Sequence, residues 1–311
     1  MNMLFTLDRA YLPVFVTCVR SFLRFPRSEG YRIYILHSDL TEDDVSMLRR
    51  RFGHDGAQFF PVYVDPGDFG SFPDSLRYPK TMYYRVLASK YLPNDIDRVL
   101  YLDPDIVVIK PLDELYSKPF GDAVFYACTH VHEFLTRVNQ LRLGIRDDVA
   151  YINTGVMLMN LAALRSTLDE RRLLEYVAER GPWFTLPDQD IITALYGKRT
   201  ILLDTMKYNL SDRILNHYNA DPANPRRGLD WVRANTVIIH YFGPNKPWKK
   251  NYIGVLDCFY RELEPEIRTG SSVPGPAERL PAGKNKKPAA NKSGKTVSFG
   301  SGKRHFQNIK R

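Results

Sequence analysis

The chain has 311 residues, 44% of them hydrophobic and 13% aromatic, which is enough for a large core and within reach of a single-unit α/β enzyme. Its formal charge of +9 hints at a polyanion partner only until the charge is located: ten of the 44 basic residues but one of the 35 acidic ones lie after residue 268, leaving 34 of each sign before it. A neutral body offers no basic face for nucleic acid, and no stretch reaches the roughly 20 apolar residues of a membrane span.

In chain order, MLFTL (3–7) reads as a first strand, and a helix follows over 11–25. Asp8, Arg9 and Pro13 interrupt the apolar run that a signal peptide would need. YRIYIL (31–36) is a second strand, with a helix over 41–53 opened by Thr41 and Asp44 in capping-box spacing and stopped by Gly53. AQFFPVYV (57–64) is a third strand, TMYYRVLASKYL (81–92) a helix, and RVLYLDPDIVVIKPL (98–112) an apolar strand broken by Asp103 and Asp105 around Pro104. Further strands are expected over 122–128, 152–161, 200–204 and 236–242, and helices over 168–181 and 188–197. Strand and helix alternating in this way imply an α/β fold, a largely parallel sheet with helices on both faces.

The body is expected to span residues 1–268. Residues 269–311, rich in Pro, Gly, Ser and Lys, are expected to form a disordered basic tail. The three cysteines, Cys18, Cys128 and Cys258, are odd in number and sit among apolar residues, as free thiols in a reducing compartment would. A cytoplasmic location follows, at the inner face of a membrane if the tail is drawn to anionic lipid.

Two carboxylates closing an apolar strand need a reason, because an ionised carboxylate is costly to desolvate unless it is paired or bound to a cation. Residues i and i+2 of an extended segment point to one side, so Asp103 and Asp105 can face one divalent ion, with Pro104 stiffening the step. Ligands of open α/β sheets gather beyond the carboxyl ends of the strands. Asp8 follows the first strand, Asp103 the fourth, and His240 lies near the end of TVIIHYF, so the three are expected to share one rim. After His240 come a turn at Gly243 and Pro244 and then Lys246, a partner for a diphosphate. Two carboxylates and an imidazole suit Mn²⁺ or Mg²⁺, the nitrogen favouring manganese.

Plainer readings exist for each residue. Asp-Pro-Asp could open a solvated turn or a phosphatase loop, although Ile106 and Val107 stand where that loop wants a Thr. Asp188, Gln189 and Asp190 also fit the first turn of a helix, where acids are favoured. Asn153 and Gly155 could simply shape the start of a strand, and a lone His240 could be a core histidine. His130 and His132 are assigned no metal.

LYLDPDIVV, INTGVMLMNL, LPDQDI and HYFGPNKPW, in this order, resemble the motif set of glycosyltransferase family 8, over about Met3 to Trp248. The resemblance implies a Rossmann-like nucleotide-diphospho-sugar transferase fold of GT-A type. It also implies retaining transfer of a hexose, glucose or galactose, from a UDP-sugar to a glycan, glycolipid or glycoprotein acceptor. It assigns Asp103, Asp105 and His240 to Mn²⁺, Asp8 and Tyr11 to uracil and ribose, Gly243 and Lys246 to the diphosphate, and Arg85 to the donor. Thr6 and Pro104 join the nucleotide-sugar-binding set, and Asn153, Asp188 and Gln189 line the sugar pocket as the catalytic group. Gln189 is a poor nucleophile, which favours same-face attack over double displacement. Ala10 stands where the family commonly has Asn, and His130 lies near a usual acidic position. Two other functions fit the same neighbourhood, a catalytically silent nucleotide-sugar-binding protein and a nucleotidyltransferase. The second would need a glycine-rich basic loop that TLDRAYLP lacks.

Overall fold

A computed structural model of the chain describes residues 1–73, 79–129, 133–146 and 148–264. His130, His132 and the basic tail lie outside the described residues.

Among the described residues nine strands carry the fold: β1 (Asn2–Thr6), β2 (Tyr31–His37), β3 (Ala57–Tyr63), β4 (Arg98–Leu102), β5 (Ile106–Val108), β6 (Phe125–Cys128), β7 (Asn153–Asn160), β8 (Thr200–Leu202) and β9 (Ile238–His240). Seven form one sheet in the order β3-β2-β1-β4-β7-β6-β8, while β5 and β9 make a separate two-stranded pair. In the large sheet β7 runs against both neighbours, β4 and β6, and the other pairings are parallel. The sheet is therefore mixed and mostly parallel, as the alternation of elements predicts.

Side-chain alternation splits the core across this sheet. Met3, Phe5, Leu100, Leu102, Val156 and Leu158 enter one apolar cluster, with Phe15 and Phe22 of the Leu12–Leu23 helix. Leu4, Val99, Tyr101, Met157 and Met159 enter the other, with Tyr83, Tyr84 and Ile191. Strands buried on both faces read as unbroken apolar runs, which is why RVLYL and GVMLM show no polar alternation.

The strand order places the site. The chain steps outward from β1 to β2 to β3, then returns to the other side of β1 as β4. That reversal opens a crevice at the carboxyl ends of β1 and β4, from which Asp8 and Asp103 follow.

Two expectations need correcting. Residues 98–112 are not one strand: β4 ends at Leu102, the chain turns through Pro104 and Asp105, and β5 leaves the large sheet to pair antiparallel with β9. The segment 80–91 is a 3₁₀ helix over Lys80–Leu87 with a single α turn over Ala88–Tyr91. Tyr83, Tyr84, Arg85, Val86 and Leu87 are all buried, so this stretch has no solvent face and packing sets its winding. The capping box at Thr41 and Asp44 forms as expected and the α-helix ends at Gly53 as expected, although Gly53 stays right-handed and a 3₁₀ turn carries the chain to the left-handed Gly56, φ 80°.

Candidate active site

The cluster begins with the break between β4 and β5. Asp103 N–H donates to Gly155 O of β7 (2.8 Å), and Tyr241 N–H donates to Asp105 O (3.1 Å), so each aspartate is anchored to a different partner. The β5–β9 register sets Ile106 opposite His240. The carboxylates thus converge because a turn crosses from one sheet to another, rather than because an extended segment aims them.

His240 is 1% exposed, and its Nε2 lies 3.1 Å from Asp105 Oδ1 and 3.5 Å from Asp103 Oδ2. Despite this proximity, Nε2 makes no hydrogen bond of sound geometry among the described residues. One ligand atom each from Asp103, Asp105 and His240 lie within 4.8 Å of one another. Gly155 forms the floor: a Cβ there would fall 2.2 Å from His240 Cε1 and 2.7 Å from Asp103 Oδ2. An orphaned buried imidazole nitrogen, two carboxylates and a floor that admits only glycine fit a divalent cation.

The electrostatics follow from burial and opposed charge. Burial alone would lower the His240 pKa, but Asp105 and Asp103 raise it to about 9. Burial would raise Asp103 and Asp105, yet Arg85 and His240 hold the first below the usual carboxylate range, and Lys246 and His240 hold the second well below it.

Behind the carboxylates lies a second buried layer. Arg85 Nη1 is 2.9 Å from Asp103 Oδ1 and 3.3 Å from Asp188 Oδ2, and its guanidinium stacks 4.5 Å over the Tyr101 ring. Arg85, expected to touch the donor, bridges these two carboxylates. Tyr101 hydroxyl donates to Asp103 Oδ1 (2.7 Å) and so accepts from Thr6 Oγ1 (3.0 Å), which gives Thr6 its place at the end of β1. Asp188 Oδ2 accepts from the Thr154 hydroxyl (2.6 Å), while Oδ1 has no partner among the described residues. Burial outweighs Arg85 and Thr154 there and raises the Asp188 pKa. Asn153 Nδ2 lies 3.4 Å from Gln189 Oε1.

On the other side, the Asp8 carboxylate accepts from Tyr11 N–H (3.0 Å), capping the turn that carries Tyr11. Burial raises the Tyr11 phenol, with Lys246, Asp105, Asp103 and Asp8 all within electrostatic reach. Asp8, Asp103 and His240 therefore do share one rim. Gly243, with φ 80°, turns the chain after β9 so that Lys246 folds back onto its own strand. Its ammonium contacts Asp105 Oδ2 and Tyr241 O (2.8 Å), and Lys246 as a whole is buried. Lys246, expected at the diphosphate, also pairs with a candidate ligand carboxylate.

Asp190 is fully buried and holds Arg142 through both oxygens (2.7 and 2.8 Å), the Tyr151 hydroxyl (2.8 Å) and Thr185 N–H (2.8 Å). Its role is to join the Glu133–Leu143 and Pro187–Tyr196 helices.

Sequence reasoning missed Tyr101, Thr154 and Asn209. Tyr101 carried a signal, since it lies two residues before Asp103 on the same strand face. Thr154 lay inside the quoted N-T-G run. Asn209, whose Oδ1 is 2.8 Å from His240 Nδ1, follows a short helix with no pattern to mark it.

The fold is that of a glycosyltransferase of GT-A architecture. The chain belongs to glycosyl transferase family 8, whose family model matches residues 2–252, and it is a hexosyltransferase. It is 25% identical over 250 residues to a lipopolysaccharide 1,2-glucosyltransferase of Escherichia coli, covering 79% of this chain and 73% of that protein. It is 24% identical over 204 residues to a lipopolysaccharide 1,3-galactosyltransferase of Salmonella typhimurium, covering 61% of this chain and 56% of that protein. Among solved structures, the galactosyltransferase LgtC in complex with donor and acceptor sugar analogues superposes with a TM-score of 0.74 at 26% identity, covering 88% of this chain and 98% of that one.

Proposed function

We propose that the chain is a retaining, Mn²⁺-dependent transferase that moves glucose or galactose from a UDP-sugar to a saccharide-bearing acceptor. The observation that carries this reading is the Asp103, Asp105 and His240 cluster with its orphaned Nε2 above Gly155. Asp103, Asp105 and His240 hold the cation, which when bound supplies Lewis-acid neutralisation of the charge that develops on the departing diphosphate. Thr6, Asp8, Tyr11 and Pro104 frame the nucleotide at the crevice between β1 and β4, and Gly243 brings Lys246 to the same rim as a fixed positive charge. Arg85 favours the ionised form of Asp103 and orients both Asp103 and Asp188. Asp188 Oδ1, buried and without a partner among the described residues, is an acceptor for a sugar hydroxyl, with Asn153 and Gln189 beside it.

In the reaction the bond between the anomeric carbon and the diphosphate oxygen breaks, its electron pair leaving with UDP. The acceptor oxygen bonds to the same face of that carbon, and its proton passes to the departing phosphate. Same-face attack is supported by the lack of a nucleophile: Gln189 is a carboxamide, and Asp188 is 2% exposed with Oδ2 engaged by Thr154 and Arg85. A sugar adduct trapped on either residue would overturn it. The lipopolysaccharide-directed relatives support a glycolipid acceptor at a cell envelope.

The test is a panel of nucleotide sugars with Mn²⁺, read as slow UDP release. One UDP-hexose is expected to be hydrolysed, and Asp103→Asn is expected to remove most of that rate. If no donor is hydrolysed, or if Asp103→Asn leaves the rate unchanged, the reading fails.

A further inference from the structure

Asn209 lies outside every role assigned above, yet it touches the metal-facing imidazole. It is fully buried after the short helix Thr205–Tyr208, its N–H bonded to Thr205 O (3.0 Å), and the next residue, Leu210, bridges to Ile239 of β9. Its Oδ1 is 2.8 Å from His240 Nδ1 and its Nδ2 is 3.1 Å from Asn153 Oδ1. Asn153 Nδ2 in turn meets Gln189 Oε1.

The two ends of an amide are alike in shape, so its orientation needs a fixed reference. The backbone supplies one: Gly155 N–H can only donate, and it meets Asn153 Oδ1 at 3.1 Å. Asn153 Oδ1 is therefore an acceptor, and Asn209 must present its amino group to it. The Asn209 carbonyl oxygen then faces the imidazole. An acceptor there requires a proton on His240 Nδ1, which makes Nε2 the nitrogen that faces Asp103 and Asp105 with a lone pair to give.

We propose that Asn209 is a positioning residue of this site: it selects the His240 tautomer whose Nε2 binds the cation, and through Asn153 it ties that orientation to Gln189. The inference rests on the metal-binding reading above. Removing the amide leaves Nδ1 buried without an acceptor and frees the imidazole to present either nitrogen. Outer partners of a ligating histidine typically govern 10–100-fold in metal affinity.

The experiment titrates Mn²⁺ alone into the full chain, following the free ion by electron paramagnetic resonance, with wild type, His240→Ala, Asn209→Ala and Asn209→Asp. Asn209→Ala is expected to weaken Mn²⁺ binding by about tenfold to a hundredfold. Asn209→Asp keeps an acceptor for Nδ1 but can no longer donate to Asn153, so Mn²⁺ affinity should stay within about threefold of wild type while kcat for UDP release falls by about tenfold or more. A purely structural role would move both readouts together. Affinity of Asn209→Ala within about twofold of wild type, or equal loss in both variants, would overturn the proposal. Should Asn209→Ala fail to fold by circular dichroism, Asn209→Asp decides: retained affinity with lowered kcat supports the role, and lost affinity removes it. Wild type that binds no Mn²⁺ overturns the metal reading and this inference with it. Loss in His240→Ala but none in Asn209→Ala removes only the role of Asn209.

Discussion

Gly155 does most to determine what the cluster can hold, because its missing side chain is the space between His240 and Asp103. A Cβ placed 2.2 Å from His240 Cε1 has nowhere to go, since both neighbours are tied to backbone that β-pairing fixes. Gly155→Ala is expected to lower Mn²⁺ affinity and UDP release by tenfold or more while costing about 1–3 kcal/mol of stability from overpacking. Metal titration beside a thermal melt checks both, and wild-type affinity in this variant would show that the imidazole is not a ligand. Tyr101 offers a gentler probe. Tyr101→Phe keeps the ring under Arg85 but deletes the hydroxyl that donates to Asp103 and accepts from Thr6. Losing a buried hydroxyl with two partners should cost about 1–3 kcal/mol, read from the urea midpoint, and should loosen Asp103 enough to weaken metal binding. Unchanged metal affinity would mean that Arg85 alone holds that carboxylate.

At the scale of elements, legibility divided along the line between local and long-range causes. Strands buried on both faces announce themselves as apolar runs, so the inner strands of the large sheet were readable; the edge strands β3 and β8, more exposed, were still short apolar runs, and the Thr41 capping box was readable because its partners are three residues apart. The 3₁₀ winding of Lys80–Leu87 was not, because it is set by five consecutive buried side chains rather than by their own preferences. Nor was the split of β4 from β5, since nothing within residues 98–112 names β9 as the partner of Ile106–Val108. The same gap hid Asn209, whose meaning depends on Leu210 pairing beside β9. The capping box gives a pH test of its own. Burial would raise the Asp44 pKa, but Thr41 N–H and hydroxyl (3.0 and 2.8 Å) and Arg9 (2.8 Å) together lower it. A folded-state pKa below the unfolded value of about 3.9 means that the contribution is fully present above that value and is lost as pH falls through the folded pKa. Asp44→Asn should therefore cost about 1 kcal/mol at pH 7 and progressively less toward pH 3. Urea midpoints of both proteins across this range test it, and a gap that stays constant with pH would assign the loss to packing.

For the whole molecule, the uneven placement of charge matters more than its total. Before residue 269 the basic and acidic residues balance at 34 each, so the excess of nine belongs to the last 43 residues. Among the described residues no helix is long and apolar enough to cross a membrane; charge at the surface is a separate way to contact a lipid-borne acceptor. A segment with ten basic residues and one acid can supply that contact, each Lys or Arg near an anionic bilayer contributing about 1 kcal/mol. Screening shortens the reach of such charges to about 8 Å at physiological salt, which makes the attraction strongly salt-dependent. The full chain is therefore expected to float with vesicles containing an anionic lipid at low salt and to be released as salt is raised. A chain ending at residue 268 should stay in the soluble fraction while releasing UDP from the donor at the full-length rate. Equal flotation of both would place the lipid contact on the transferase body and leave the tail without that role. If instead the shortened chain loses donor hydrolysis, the tail acts at the site and not on the membrane. Those two failures are separable because donor hydrolysis needs no acceptor, so an enzyme that has lost only its membrane keeps its chemistry.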